Sequence, residues 1–367
     1  MITIGFSTKT DPTASECAIN DMVTRLRLWG SDRISLLPDI SDDTAGQEYM
    51  VGSSPTCTVH LEDPAGLVSR RHAQLIREAA RWLLRDLGSK NGMQLDGTRR
   101  TEITLEPGAE IGIGGLTLIA ESSRSVALRE FMSRLLGWRS DRVAIVDHAL
   151  RSIRIAGARR AALVLCGDGD LVPTARSIHR QVMGPHRPFI VCDPRRRPGK
   201  ATVRVAQNYE TGMQAFEAAN GGSLCVRGHR LPKDFADLIA ALRAPSSRVQ
   251  LVVCAPDPAE CAQFLSVPID VPPLASRADE LDRIIMEYGA DATDELGTPR
   301  SSFLAADLEW VRTYSAKSLP DIEKGTLRLV AIRNSPFLSS AAERLGMAPV
   351  SLSRWIGRRT LPTKVGP

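Results

Sequence analysis

At 367 residues the chain is long enough for two or three domains, each with its own core, and 43% hydrophobic with 24% charged residues is ordinary globular composition. No stretch approaches eighteen uninterrupted apolar residues, which excludes a helical membrane span, and the opening MITIGFSTKTDPTASE lacks the charged-then-apolar order of a secretory signal. The seven cysteines are odd in number and form no CxxC pair, which argues against a disulfide framework or structural zinc; a reducing, cytoplasmic setting is expected.

In chain order, residues 1–21 are polar and aperiodic, as in a flexible tail. Residues 22–121 carry short alternating runs (RLRLW, RISLL, TCTVHL, HAQLIR, WLLRDL, EITL, EIGIGGLTLIA) separated by turn-forming clusters such as Asn-Gly and Asp-Gly. That pattern predicts an all-β sandwich. Residues 122–142 turn helical and read as a linker helix. Over 143–290, apolar runs (AALVLC, PFIVC, SLCVRG, VQLVVC) alternate with helical segments, predicting a mostly parallel α/β sheet with crossover helices. A polar stretch opens a linker and helical segment at 291–320, and 321–362 is all-α.

The β-rich part holds VG at 51–52, SRRH at 69–72, LLRDLGSKNG at 83–92 and LEPGAEIGIG at 105–114. A phosphate requires hydroxyl donors and cations at close range, and Ser69, Arg70 and Lys90 supply them. Asn91 offers donors and an acceptor suited to a peptide main chain. These motifs, in this order, resemble the forkhead-associated (FHA) family over about residues 22–121. The resemblance implies that Ser69 contacts a phosphothreonine phosphate, that Asn91 holds the peptide backbone, that Lys90 contributes, and that His72 fixes the loop carrying Ser69. After Gly52 the family usually places an arginine on the phosphate; here the residue is Ser53. Arg70 or Lys90 is the available compensation, and an FHA fold with reduced phosphate selectivity is the alternative.

The central stretches ALVLCGDGDLVPTARSIH (162–179), RPFIVCD (187–193), GMQAFEAANGGSLCV (212–226), RVQLVVCAP (248–256) and VPPLASRADELDRII (271–285) resemble the AAA+ P-loop NTPase domain of sigma-54-dependent enhancer-binding proteins. A P-loop needs a lysine on the β- and γ-phosphates and a hydroxyl on magnesium. The alignment puts Leu171 and Val172 at those two places, and Arg227 and Gly228 where the acidic pair of the Walker B strand belongs. The resemblance therefore implies a degenerate, non-catalytic nucleotide site: a pseudo-ATPase with no catalytic residues, no metal and no cofactor. Nucleotide binding without hydrolysis stays open. His148, His179, His186 and His229 lack metal-like spacing.

From Asp321 to Pro367 there are eight Lys or Arg against three Asp or Glu. LSSAAERLGMAPVSLSRWIGRR (338–359) reads as two short helices with a glycine turn and Pro349 opening the second. Leu352, Trp355 and Ile356 share its inner face, while Ser351, Arg354 and Arg358 share the opposite stripe, with Ser353 and Arg359 beside it. The segment resembles the Fis-type helix-turn-helix, which implies base contact by arginine and phosphate contact by serine and neighbouring cations. A helical hairpin with a solvated basic face is the alternative. One such unit serves one half-site, so a homodimer on double-stranded DNA is expected.

Together these readings predict a sequence-specific transcription regulator of the enhancer-binding type that senses a phosphothreonine-containing protein and has lost ATPase and sigma-54-remodelling activity. The competing classes are a phosphopeptide-binding adaptor without DNA binding and a divergent AAA+ ATPase.

Overall fold

The computed structural model describes residues 22–38, 48–78, 81–159, 161–184, 186–197, 206–257, 259–260, 264, 266–357 and 359–362. The tail at 1–21 and Arg358 lie outside the described residues. The chain divides into two compact units: one runs to Ser133 and includes Arg139–Arg151, and the other comprises Arg134–Trp138 and everything from Ser152 onward.

The first unit is a β-sandwich. One sheet joins β1 (Val23–Leu28), β2 (Ile34–Leu36), β7 (Met93–Leu95), β8 (Thr98–Arg100), β10 (Glu110–Ile113) and β11 (Leu116–Ser122) in the order β2-β1-β11-β10-β7-β8. The other joins β3 (Tyr49–Gly52), β4 (Val59–His60), β5 (Ala73–Glu78), β6 (Arg81–Asp86) and β9 (Glu102–Thr104) in the order β4-β3-β5-β6-β9. All pairings are antiparallel except β3 with β4. β6 shows the cause: Trp82 and Leu84 are buried while Arg81 and Arg85 are exposed, the period-two pattern of a strand with one face on a core. Leu26, Leu75, Leu84, Met93 and Ile111 from the two sheets meet in that core. The β7–β8 turn places Asp96 at φ 48° and Gly97 at φ 81°, the two positive angles that suit a two-residue hairpin loop.

Helix α1 (Ser123–Leu136) follows the sandwich, and α2 spans Val143–Arg159. Within the first unit, Asp147 of α2 is fully buried against Arg27 of β1, with Arg27 Nη1 donating to Oδ2 at 3.0 Å. Arg27 Nε donates to Glu121 of β11 at 2.7 Å, and Nη1 also reaches Ser31 O at 3.0 Å. Every arm of this buried guanidinium is engaged, the condition under which a buried charge is tolerated.

The second unit opens with a six-stranded, wholly parallel sheet, β14-β13-β15-β16-β12-β17. Its strands are β12 (Leu163–Gly167), β13 (Phe189–Cys192), β14 (Gln207–Tyr209), β15 (Ser223–Arg227), β16 (Gln250–Ala255) and β17 (Ile269–Val271). Crossover helices α3 (Val172–Met183), α4 (Gly212–Ala218) and α5 (Phe235–Arg243) accompany it. β13 is buried at all four positions and β16 at five of six, which is why these strands read as continuous apolar runs. Cys166, Cys192, Cys225 and Cys254 are buried within the strands as small apolar side chains.

The chain then becomes helical: α6 (Leu281–Glu295), α7 (Ala305–Tyr314), α8 (Leu319–Arg333), α9 (Leu338–Arg344) and α10 (Pro349–Ile356). Ser318 caps α8 by accepting from Asp321 N at 3.3 Å, and Ile322, Leu329, Val330 and Ala331 are buried along it. Ala342 and Leu345 are fully buried, Gly346 turns the chain at φ 59°, and Leu352 is buried on α10. The order of classes, β-sandwich, then α/β, then helical, is the one the sequence predicts.

Candidate functional site

At one end of the sandwich two loops converge, 67–72 and 86–92. Lys90 N donates to Ser69 Oγ at 3.2 Å, and Asn91 Nδ2 donates to Leu67 O at 2.7 Å. His72 is fully buried between them. Its Nδ1 accepts from Ser69 N at 3.1 Å, and its Nε2 lies 3.1 Å from Gly92 O. Both bonds are satisfied by one imidazole tautomer, with the proton on Nε2. His72 therefore fixes both loops, a wider role than holding the loop of Ser69 alone.

Close backbone packing fixes the rest. Ser53 N donates to Ser69 O and Ser54 N to Arg70 O, each at 3.1 Å. A Cβ on Gly52 would stand 2.3 Å from Arg70 O, so this glycine is required by close approach rather than by a turn. Gly92 has φ 70°, a left-handed conformation that favours glycine. The Ser53 hydroxyl donates to Val68 O at 3.0 Å, so it braces the loop. Arg70, Lys90 and Asn91 are exposed and Ser69 is half-buried. The structure thus brings Ser69, Lys90 and Asn91 together, with Arg70 adjoining Ser69 in the chain, and spends the Ser53 side chain on the loop itself.

Sequence reasoning missed the clasp beneath this surface. Ser89 Oγ donates to Asp86 Oδ1 at 2.5 Å and accepts from Gly92 N at 3.0 Å, closing the 86–92 loop on itself. The Asp-Leu-Gly-Ser composition of 86–89 is the available signal, since such residues hydrogen-bond their own backbone a few residues on.

In the second unit Leu171, Val172, Arg227 and Gly228 lie at the carboxyl edge of the parallel sheet, where α/β sheets place ligands. Leu171 and Val172 are buried at the start of α3 and present neither ammonium nor hydroxyl. Arg227, at the end of β15, donates through Nη1 to Asp193 at 2.9 Å and through Nη2 to Asp170 at 2.8 Å. Asp193, fully buried after β13, also lies 3.6 Å from Arg230 Nη1. Three strand ends are thereby tied by ion pairs within the chain. Gly228 N bonds to Cys254 O at 2.9 Å, continuing the β15–β16 pairing. Below this edge His179 of α3 is buried, with Nδ1 2.8 Å from Ser223 Oγ and Nε2 3.0 Å from Arg187 O. Burial pushes its imidazole below the ordinary value, and Arg176 and Arg180 add to the depression against the Arg187 hydrogen bond. No group of three or more His, Cys, Asp or Glu arranged for a metal occurs among the described residues.

On α10, Ser351, Ser353 and Arg354 are exposed and Arg359 is half-buried just beyond the helix. Arg359 Nη1 donates to Trp355 O at 2.6 Å. Trp355 packs on Trp310 of α7 with ring centres 5.3 Å apart, and Trp310 Nε1 donates to Thr360 O at 2.7 Å.

Residues 49–114 match the family described as FHA domain. Among solved structures, one reported as a structural and functional analysis of phosphothreonine-dependent FHA domain interactions is 28% identical, covering 26% of this chain and 93% of that one, with a TM-score of 0.23. The FHA domain of a Chlamydia trachomatis protein is 26% identical over 27% of this chain and 95% of that one, TM-score 0.23. Mycobacterium tuberculosis EmbR, solved with a low-affinity phosphopeptide, is 24% identical over 30% of this chain and 26% of that one, TM-score 0.25. No curated protein matches the chain. No helix among the described residues is long and apolar enough to cross a membrane. The N-terminal β-sandwich, with its paired loops around His72, is an FHA domain.

Proposed function

We propose that this protein binds a phosphothreonine-containing partner through its FHA domain and holds double-stranded DNA with its C-terminal helices, the α/β unit between them having lost ATP hydrolysis. The observation that carries the first part is the convergence of Ser69, Lys90 and Asn91 on one loop surface keyed by His72. A hydroxyl, an ammonium and a carboxamide there match the donors a phosphothreonine and its flanking main chain require. In support of the second part, Gly346 and Pro349 set α9 and α10 as two short helices with a tight turn, and the outward face of α10 carries Ser351, Ser353 and Arg354. In support of the third, the carboxyl edge of the sheet holds Leu171, Val172 and a self-paired Arg227 in place of a lysine, a hydroxyl and an acidic pair.

The same reading assigns 22–121 to the FHA domain, 122–142 to a linker helix, 143–290 to the degenerate AAA+ unit, 291–320 to a linker and 321–362 to the Fis-type helices of an enhancer-binding-type regulator, acting as a homodimer on DNA. The decisive experiment is calorimetric titration of the full chain with a phosphothreonine peptide library and its unphosphorylated twin. Preferential binding of the phosphorylated form, abolished by Ser69→Ala, is expected. Equal affinity for both forms leaves an FHA scaffold without phosphate selectivity.

A further inference from the structure

We infer that a cationic cleft between the end of α7 and the end of α10 seats a phosphodiester of the DNA strand beside the groove that α10 enters; the inference rests on the DNA-binding reading above. The cleft measures about 810 Å³ and is lined by Thr313, Tyr314, Lys317, Arg354, Gly357 and Arg359. Three of these six residues are cations and none is acidic. Lys317 and Arg354 are exposed, and neither has an acidic partner among the described residues. Like charges gathered in a concavity without counter-charge repel one another, so the arrangement gains most from an anion placed among them.

The cleft is also held in shape before any ligand arrives. Tyr314, which lines it, packs on Trp310, and Trp310 packs on Trp355, with ring centres 5.4 Å and 5.3 Å apart. Arg359 is fixed by its bond to Trp355 O and lies over the Trp355 ring at 5.2 Å. One wall belongs to α7 and the segment after it, the other to α10 and the residue pair beyond it. Lys317 and Tyr314 are therefore brought to Arg354 by tertiary packing, and the helix pair alone does not contain the site. A free phosphate ion is small for this open volume. A strand backbone, with sugars on either side of each phosphate, suits its length and its mixture of ring and cation. A helix end set in the major groove has its flank beside that backbone, which is where the cleft lies relative to the exposed stripe of Ser351, Ser353 and Arg354.

The test uses the full chain and a short mixed-sequence duplex, with fluorescence anisotropy across a salt series. Lys317→Gln is expected to weaken binding about five- to tenfold at moderate salt and to lower the slope of log affinity against log salt by about 1. Tyr314→Phe keeps the ring on Trp310 and is expected to weaken binding about threefold through loss of the hydroxyl. Lys233→Gln, an exposed cation of the α/β region, is the control and is expected to leave affinity and slope unchanged. If the wild type binds duplex while Lys317→Gln and Tyr314→Phe change nothing, or Lys233→Gln matches Lys317→Gln, the cleft is not a phosphate seat and the DNA reading stands. If the wild type fails to bind duplex at low salt, both fall.

Discussion

Arg227 joins Asp193 across neighbouring strands of the parallel sheet, Nη1 to Oδ2 at 2.9 Å, and its other arm holds Asp170 in the loop after β12. The guanidinium is 11% exposed and the Asp193 carboxylate fully buried, so the pair is set in a low-dielectric edge. This part of the sheet's carboxyl edge is filled by the chain's own cation and carboxylates.

Removing the cation leaves the buried Asp193 carboxylate with the Arg195 amide on Oδ1 at 3.0 Å and Arg230 Nη1 3.6 Å from Oδ2. Arg227→Ala is expected to destabilise the protein by about 3 kcal/mol, the cost of breaking a buried pair. Asp170→Ala, at a half-exposed carboxylate, is expected to cost under about 1 kcal/mol. Urea unfolding of both variants checks the order, and equal losses refute it. Magnesium-dependent ATP hydrolysis by the wild type is expected to be absent in a phosphate-release assay.

At the FHA surface, Ser53→Arg adds a cation where the Ser53 hydroxyl now braces Val68 O. Phosphothreonine-peptide affinity is expected to rise about tenfold, the worth of a hydrogen bond to a charged group, and calorimetry reads it directly. No gain, or a loss, means that the brace matters more than the added charge.

Gly52→Ala is expected to behave oppositely. Its new methyl meets the Arg70 carbonyl, a backbone atom, so the 69–70 loop must shift. Destabilisation of about 1–3 kcal/mol is expected together with loss of phosphopeptide selectivity, checked by thermal melting and titration of the same sample. Retained selectivity would place the phosphate elsewhere than beside Ser69.

His179 gives the α/β unit a pH signature. Burial depresses its native value below the ordinary 6.5, so as pH falls the unfolded imidazole takes up a proton before the native one does. Stability from this group is therefore complete above about pH 6.5 and declines as pH falls, by at most about 1.4 kcal/mol per pH unit. His179→Gln keeps a donor and an acceptor for Arg187 O and Ser223, and is expected to flatten that decline. Melting temperatures from pH 7.5 down to about 5 compare the two proteins.

Asp147→Ala is expected to cost about 3–5 kcal/mol, since it strands the fully buried Arg27 with Glu121 and two carbonyls. Denaturant unfolding followed by Trp29 fluorescence reads this unit, because Trp29 packs edge-on against His148, 5.2 Å away on the same helix.

The sandwich was legible because its signals are local: alternation in RWLLRD, Asp96-Gly97 at a hairpin, and four loop motifs in order. Ser69, Lys90 and Asn91 were legible for the same reason. The Arg227 network was not, since its partners lie 34 and 57 residues away and meet only through crossovers. The Arg27–Asp147 pair spans 120 residues and carries no periodic trace at all. The role of Gly52 was not legible, because sequence shows that a glycine is present, not which neighbouring atom excludes a side chain.

The buried imidazole of His72 has a consequence for timing. Because one ring spans both recognition loops, they form a single stiff part, and little loop motion remains to be arrested when a peptide docks. Variants among the exposed contacts should then act on how long a peptide stays, while arrival rates stay nearly constant. Removing the ring should do the reverse and slow arrival, because the two loops must first find each other.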